Sequence, residues 1–380
     1  MNFVVVLTCL VCVLIAVYLG KRLQFWLDLN LSGFFLIVYW LGIFALGIAF
    51  LLSKLFINFT SYFSLLVALI VCLVYTSLIF DAIYLLSKKK FKPDFMLSSV
   101  YLGCTAVIFI FGNQMATNSK IVHYQVKINK QANADHLRIV QLSDIHINEM
   151  TRHKFIQQMV NKVNELNADF IVITGDTIDK KLSPFVKDEF NQQMKELKSK
   201  YGTYVIFGNH EYLETKGEKD KEQNLITAFK QANMNVLKDD IIYLNDLGIT
   251  LIGRDDFSSS SYEVTRASLS DLMLFSDTSS PIILLDHQPK DLAEPANLGV
   301  DLMISGHTHG GQIFPVNFLA DLMYKNAYGM YQDIQHHFTS IVSNGYGFGS
   351  LPIRFMTRSE IVVIDASFDK KVDKLKYETK

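Results

Sequence analysis

Cysteine is missing from the whole of the chain beyond residue 104; the four present are Cys9, Cys12, Cys72 and Cys104. The later part of the chain therefore carries no disulfide and no thiolate ligand, and a metal held there must be held by nitrogen and oxygen. Charge is scarce as well, at 19% against 50% hydrophobic residues, and a formal net charge of -1 supplies no basic field. That argues against a nucleic-acid partner. No Lys or Arg precedes the first apolar run, "MNFVVVLTCLVCVLIAVYLGKRL"; Lys21 and Arg22 come after it. A cleaved leader has the reverse order, so this run reads as a spanning helix. There is no internal repeat, and the one biased patch, Ser258 to Ser261, reads as a solvated loop.

What the chain does have is grease at its start. Four stretches, at about 3–20, 32–53, 62–86 and 96–115, approach the roughly 20 apolar residues that a bilayer core requires. The expected organisation is a four-helix transmembrane region, 1–118, followed by a polar domain, 119–380. Lys21 and Arg22 fall in the first connection and Lys88, Lys89, Lys90 and Lys92 in the third, while the second offers only Lys54. The positive-inside rule then puts the first and third connections in the cytoplasm. A multi-pass protein of the cell membrane is expected, with its polar domain on the extracytoplasmic face. Lys120, Lys127 and Lys130, beyond the last run, pull weakly the other way. Asp81 lies near the inner end of the third run, close to Lys88, and reads as an interfacial residue rather than a functional carboxylate within the membrane.

The polar domain alternates strand and helix, the pattern of an α/β fold. "LRIVQLSDIHI", "DFIVITGD", "YGTYVIFGNHEY", "PIILLDHQP" and "VDLMISGHTHGG" are apolar strands that each end in a polar burst. "HKFIQQMVNKVNELNA", "FVKDEFNQQMKELKSK" and "NLITAFKQANM" have helical spacing, a hairpin is expected around Asn245–Gly248, and "TSIVSNGYG" and "SEIVVIDASF" look like closing strands. The bursts hold Asp144 and His146; Asp176; Asn209 and His210; His287; and His307 and His309. Ligands gather at the carboxyl ends of strands in α/β sheets. Taken singly each motif is weak, and His153, His336 and His337 are left without a role. Together, two carboxylates, one Asn and four of these five His make seven nitrogen and oxygen ligands, a mixture that suits Mn, Fe, Zn, Co or Ni. With one Asp as a bridge, two divalent metals could each take four protein ligands. Two metals roughly 3.5–4 Å apart are the arrangement that clamps the attacking and leaving oxygens of a phosphoryl displacement. Gly306, Gly310 and Gly311 would let the last burst turn sharply and let substrate approach.

"SDIH", "TGDTID", "GNHE", "DHQP" and "SGHTHGGQ", in this order, resemble the five blocks of the calcineurin-like metallophosphoesterase superfamily. The tail "NGYGFGSLPIRFMTRSEIVVI" is similar to the closing block of its bacterial membrane-associated branch, and the resemblance covers about residues 135–368. It implies a two-sheet β-sandwich flanked by α-helices. It implies that Asp144, His146, Asp176 and His309 bind one metal, that Asp176, Asn209, His287 and His307 bind the second, and that His210 is a catalytic, non-ligand histidine protonating the leaving oxygen. Lys180 and Lys181 follow Asp179 where protein Ser/Thr phosphatases continue Asp-Arg-Gly, and purple acid phosphatases have a tyrosine at the position of Asp179. Asp286 would point away from the metals, since strand neighbours alternate faces. Arg354 is open to two roles, a phosphate-facing wall or a pin for the C-terminal strands.

The function expected is therefore a membrane-anchored, two-metal phosphoesterase that hydrolyses a phosphomonoester, phosphodiester or pyrophosphate bond. Nearness to the bilayer favours a phosphorylated substrate that is lipid-linked or part of the envelope, including one of the UDP-diacylglucosamine type. The alternative is a non-catalytic membrane protein whose metal domain binds a phosphorylated ligand.

Overall fold

The computed structural model describes residues 3–55, 63–349 and 351–369, with side chains from Cys9 and not in 46–55. Residues 56–62 of the second connection, the side chain of Lys54 and Ser350 lie outside that description. The chain forms two compact units: Met1–Gln114 with Ser350–Ile353, and Met115–Gly349 with Arg354–Lys380.

The first unit contains four helices, α1 (Phe3–Trp26), α2 (Gly33–Leu55), α3 (Phe63–Leu86) and α4 (Phe95–Thr117). Among the described residues three candidate spans, not four, are long and apolar enough to cross a membrane: Cys9–Trp26, Phe63–Leu86 and Phe95–Thr117. The stretch of α2 whose side chains are described, Gly33–Ala45, is shorter than a span. Asp81 takes its partners from α1 rather than from Lys88. Arg22 Nε lies 2.8 Å from its carboxylate, and Tyr18 and Trp26 donate to it at 2.9 and 3.0 Å. A carboxylate with a cation and two further donors is satisfied where it stands, which suits a residue joining two helices.

The second unit is a sandwich of two six-stranded sheets. Its strands are β1 (Lys120–Gln131), β2 (His136–Leu142), β3 (Phe170–Thr174), β4 (Thr203–Ile206), β5 (Met234–Val236), β6 (Asp240–Leu244), β7 (Ile249–Gly253), β8 (Ile282–Leu285), β9 (Leu302–Ser305), β10 (Gly329–Asp333), β11 (Phe338–Val342) and β12 (Glu360–Asp369). One sheet runs β1-β12-β2-β3-β4-β5 and the other β10-β11-β9-β8-β7-β6. The helices that cover them are α5 (His153–Glu165), α6 (Leu182–Lys187), α7 (Phe190–Met194), α8 (Asn209–Thr215), α9 (Lys219–Gln231), α10 (Leu269–Met273), α11 (Ala293–Asn297) and α12 (Val316–Met323).

Alternation of side chains assigns the layers. In β3, Phe170 and Val172 point between the sheets, while Ile171 and Ile173 point toward α5 and α9, whose Met159, Val163 and Phe229 cover them. In β8, Ile283 and Leu285 share the middle layer, and Ile282 and Leu284 face Leu272 of α10 and Ala296 of α11. Strands buried on both faces read as continuous apolar runs, which is how these segments look in the sequence. The hairpin between β6 and β7 forms as expected. The single helix expected over "FVKDEFNQQMKELKSK" is two short ones, because Glu189 between them takes a left-handed φ of 58°.

Phe170 is fully buried where the two sheets meet. Phe170→Ala should cost about 3–5 kcal/mol through lost burial and the cavity left behind. A denaturant melt of the full chain with an unchanged midpoint would contradict this layer assignment.

Candidate metal centre

Strands β2, β3 and β4 are parallel in one sheet and β8 and β9 are parallel in the other. Their carboxyl ends deliver all five bursts to one place. Beneath it the buried Gln141 side chain joins the sheets, donating to Thr174 Oγ1 at 2.9 Å and to the Ser305 carbonyl at 2.7 Å. Above it, five of the seven expected ligands hold left-handed backbone: Asp144, His146, Asp176, His307 and His309, with φ from 49° to 71°. Such conformations cost on the order of 1 kcal/mol or more each in a non-glycine residue and persist only where the surroundings impose them.

Those surroundings are visible. The Glu211 carboxylate, fully buried, accepts four backbone N–H groups: Thr177 and Ile178 on Oε1, Asp176 and Gly208 on Oε2, at 2.7–3.2 Å. It thereby ties the Asp176 turn to the start of α8, where Asn209 and His210 stand. Burial, then the neighbouring Asp176, push Glu211 up to about 7, against the pull of those N–H donors. Asp144 is fixed by Ser143 Oγ at 2.5 Å and by the His307 N–H at 3.0 Å; burial pushes it up to about 6. Gly310 and Gly311 take positive φ of 56° and 76°, in agreement with the sharp turn expected there. A Cβ on Gly306 would strike Ser143 Oγ and Asp144 Oδ2, so this glycine is required by close packing behind the site.

Two sets of donor atoms meet at Asp176, and a third possible group, His146, Asp179 and His210, shares His146 with the first. His146 Nε2 is 3.2 Å from His309 Nε2, 3.9 Å from Asp144 Oδ1 and 3.7 Å from Asp176 Oδ2, and His309 Nε2 is 3.5 Å from Asp144 Oδ1. His287 Nε2 is 3.3 Å from each of Asp176 Oδ2, Asn209 Oδ1 and His307 Nδ1. Donors about 2.1 Å from a metal in tetrahedral array stand about 3.4 Å apart, so both sets have the spacing of a first-row metal shell. Asp176 Oδ2 belongs to both. Burial holds His146 down to about 3 and His307 to about 4, and burial with the Arg354 cation holds His309 well below the usual histidine range. These three rings keep their lone pairs at neutral pH. His287 behaves differently: burial opposes its charge, but Asp176, Asp144 and Asp256 together outweigh burial and raise it well above the usual value. Its Nδ1 lies 2.7 Å from the Thr174 carbonyl, which fixes the proton there and turns Nε2 inward.

His210 is in neither set. Its Nδ1 is 2.5 Å from the Asp179 carbonyl and 2.9 Å from that residue's carboxylate, and its Nε2 is 4.0 Å from Asp176 Oδ2. Burial works against the imidazolium, yet Asp176 and then Asp179 outweigh it and push His210 up to about 9. Asp179 also lies 3.7 Å from His146 Nδ1, too far for a hydrogen bond. Asp286 points away and pairs with Arg266 at 2.5 Å and Arg254 at 3.4 Å. Arg354 has no solvent exposure; it donates to the Asn344, Gly345 and Gly347 carbonyls and stands 3.1 Å from His309 Nδ1. That is the geometry of a pin for the closing loop. His153, His336 and His337 stand outside both donor sets, His153 beside Gln193, His336 beside Asp333 and His337 beside Asn129. Glu211 and Asp179 went unassigned in the sequence although they stand inside "GNHE" and "TGDTID"; a carboxylate beside metal-type residues was the available signal.

The calcineurin-like phosphoesterase model matches residues 137–311. An uncharacterized metallophosphoesterase of Campylobacter jejuni is 31% identical over 306 residues, covering 77% of this chain and 78% of that protein. One of Helicobacter pylori is 29% identical over 284 residues, covering 74% and 73%. A transmembrane protein with metallophosphoesterase domain from Danio rerio is 31% identical over 269 residues, covering 68% and 60%. The chain belongs to the calcineurin-like phosphoesterases. It is a metal-dependent phosphoric ester hydrolase, and its domain implies divalent metal ions.

Glu211→Gln leaves one acceptor oxygen for four N–H groups and should cost about 1–3 kcal/mol for each pairing left unmade. The measurement is metal content together with the thermal midpoint of the full chain. Both unchanged would show that the carboxylate does not hold the Asp176 turn.

Proposed function

We propose that the chain is a membrane-anchored phosphoesterase working with two divalent ions on a phosphorylated substrate at the extracytoplasmic membrane surface. The observation that carries this reading is the pair of donor sets sharing Asp176 Oδ2, with His210 beside them and in neither. Asp144, His146, Asp176 and His309 would hold one ion, and Asp176, Asn209, His287 and His307 the other. Mn, Fe, Zn, Co or Ni suits these donors. When bound, such ions lower the pKa of water toward neutral and neutralise phosphoryl oxygens.

The chain's own residues supply the rest. With Nδ1 committed to the Asp179 carbonyl, His210 has its other proton, on Nε2, to give to the leaving oxygen. Arg354 acts by holding the 344–347 turn rather than by gripping substrate. Orientation follows from Lys88, Lys89, Lys90 and Lys92, which precede α4 whether or not α2 spans. Lys120, Lys127 and Lys130, on the far side, are each paired, with Glu360, Asp369 and Asp301. The anchor favours a lipid-linked or envelope phosphate, a monoester, diester or pyrophosphate, with a UDP-diacylglucosamine-type substrate among them.

Full-length protein with Mn should hydrolyse bis(p-nitrophenyl) phosphate; no metal-dependent release would favour a protein that only binds phosphorylated ligands. Asn209→Ala and His307→Ala should abolish turnover. His210→Ala should lose roughly 10²–10⁴-fold on an alkyl phosphate ester, and much less on the nitrophenyl ester, whose leaving group needs little protonation. Equal losses on both would remove His210 as the acid.

Asp179→Asn removes a charge that favours the His210 imidazolium. The alkaline limb of the rate–pH profile should therefore move to lower pH, and an unmoved limb would contradict the assignment.

A further inference from the structure

Helix α12 follows directly on the His307–Gly311 loop and is strapped to it at both ends. Near its start, Asn317 donates to the Gly310 carbonyl at 2.8 Å, and a Cβ on Gly311, whose φ is +76°, would lie 2.5 Å from Asn317 backbone atoms. At its end, the Tyr324 ring stands edge-on to His307, with centroids 6.2 Å apart, and Thr308 donates to the Ala327 carbonyl. Only Ala320 on this helix is buried. A broad arc centred near Leu319, from Phe318 and Leu322 round to Met323 and Val316 beside Ala320, is turned to the outside, with Leu322 83% and Met323 75% exposed. Phe318 with Leu322, and Leu319 with Met323, stack four residues apart into two adjoining apolar rows. Phe314 packs edge-on against Phe318 and enlarges the patch. An apolar face of this kind does not stay in water without a reason.

We infer that the outer face of α12 docks into the lipid bilayer surface, so that the metal loop it is strapped to works at headgroup depth. Continuity of the chain selects the bilayer as occupant. Only Asn118 and Ser119 separate α4, a candidate span, from β1. The chain returns from the first unit at Ile353, and two residues later Phe355 donates to the Gln312 carbonyl, two positions before Phe314. A short helix with one apolar arc, in a unit joined to a candidate span by so little chain, has the character of an in-plane interfacial element. A substrate phosphate carried on a lipid would then meet the centre without leaving the membrane. This last step rests on the proposed phosphoesterase reading, whereas the docking itself does not.

The test uses the full chain in nanodiscs with an environment-sensitive dye at Leu322→Cys, and at Ile334→Cys for comparison. Ile334 follows Asp333, the end of β10 opposite to Gly329, and is 85% exposed. Labelled unsubstituted chain corrects for Cys9, Cys12, Cys72 and Cys104. With the apolar face roughly 5–10 Å into the headgroup–acyl boundary, acyl-brominated lipids should quench the dye at 322 by about half or more and leave 334 unchanged. Equal quenching at both sites, or at neither, overturns the inference. So does a 322 signal that depends on protein concentration, which would make the face an interface between copies. Leu322→Asp with Met323→Asp should abolish the Phe318-side docking, read as lost quenching at Phe318→Cys, while hydrolysis of soluble bis(p-nitrophenyl) phosphate stays within about twofold of the parent. Quenching that survives the two aspartates counts against docking. No metal-dependent hydrolysis by the parent chain, with its quenching at 322 intact, would sink the phosphoesterase reading alone.

Discussion

The carboxylate of Asp176 is the fixed point of the centre. One oxygen accepts the His210 backbone N–H at 2.8 Å, and the other faces His287, His146 and His210 at 3.3, 3.7 and 4.0 Å. Burial opposes its ionisation, but His287 and His210 outweigh burial and hold it well below the usual carboxylate range. An anion kept charged in a buried place is an electrostatic demand that a metal cation answers. Everything around it keeps that carboxylate where both donor sets can use it: left-handed backbone on both flanking loops, the Glu211 clamp beneath, and the Gln141 bridge between sheets.

Much of this was legible in the chain because the strands buried on both faces are unbroken apolar runs, and each hands over to a polar burst at its carboxyl end. Period and burst together locate β2, β3, β4, β8 and β9 and the residues beyond them. Other parts carry no such local signal. β12 inserts between β1 and β2, more than two hundred residues earlier, and only tertiary pairing records that. Glu211 looks like an ordinary first-turn acid capping Gly208, three residues back; its other three partners are backbone groups from another strand's loop, which no spacing reveals. The break at Glu189 and the three-span count came from backbone conformation and described length, where periodicity alone suggested one helix and four spans.

The apolar start and the apolar arc of α12 are linked by the same physical need. Each is surface that water disfavours; the chain runs from the one into β1, and the other is tied to the loop carrying His307 and His309. On the reading proposed above, such a centre would be addressed to a surface before it is addressed to a substrate. Its specificity would come from what the membrane presents as much as from contacts to the phosphate, which is why the ligand set alone names a reaction and not a metabolite.

The central claim is that two ions share Asp176. Electron paramagnetic resonance of the full-length protein loaded with Mn tests it most directly. The account predicts two Mn per chain with the spectrum of an exchange-coupled pair, as expected for ions roughly 3.5–4 Å apart. One Mn per chain, or two that remain magnetically independent, would contradict it.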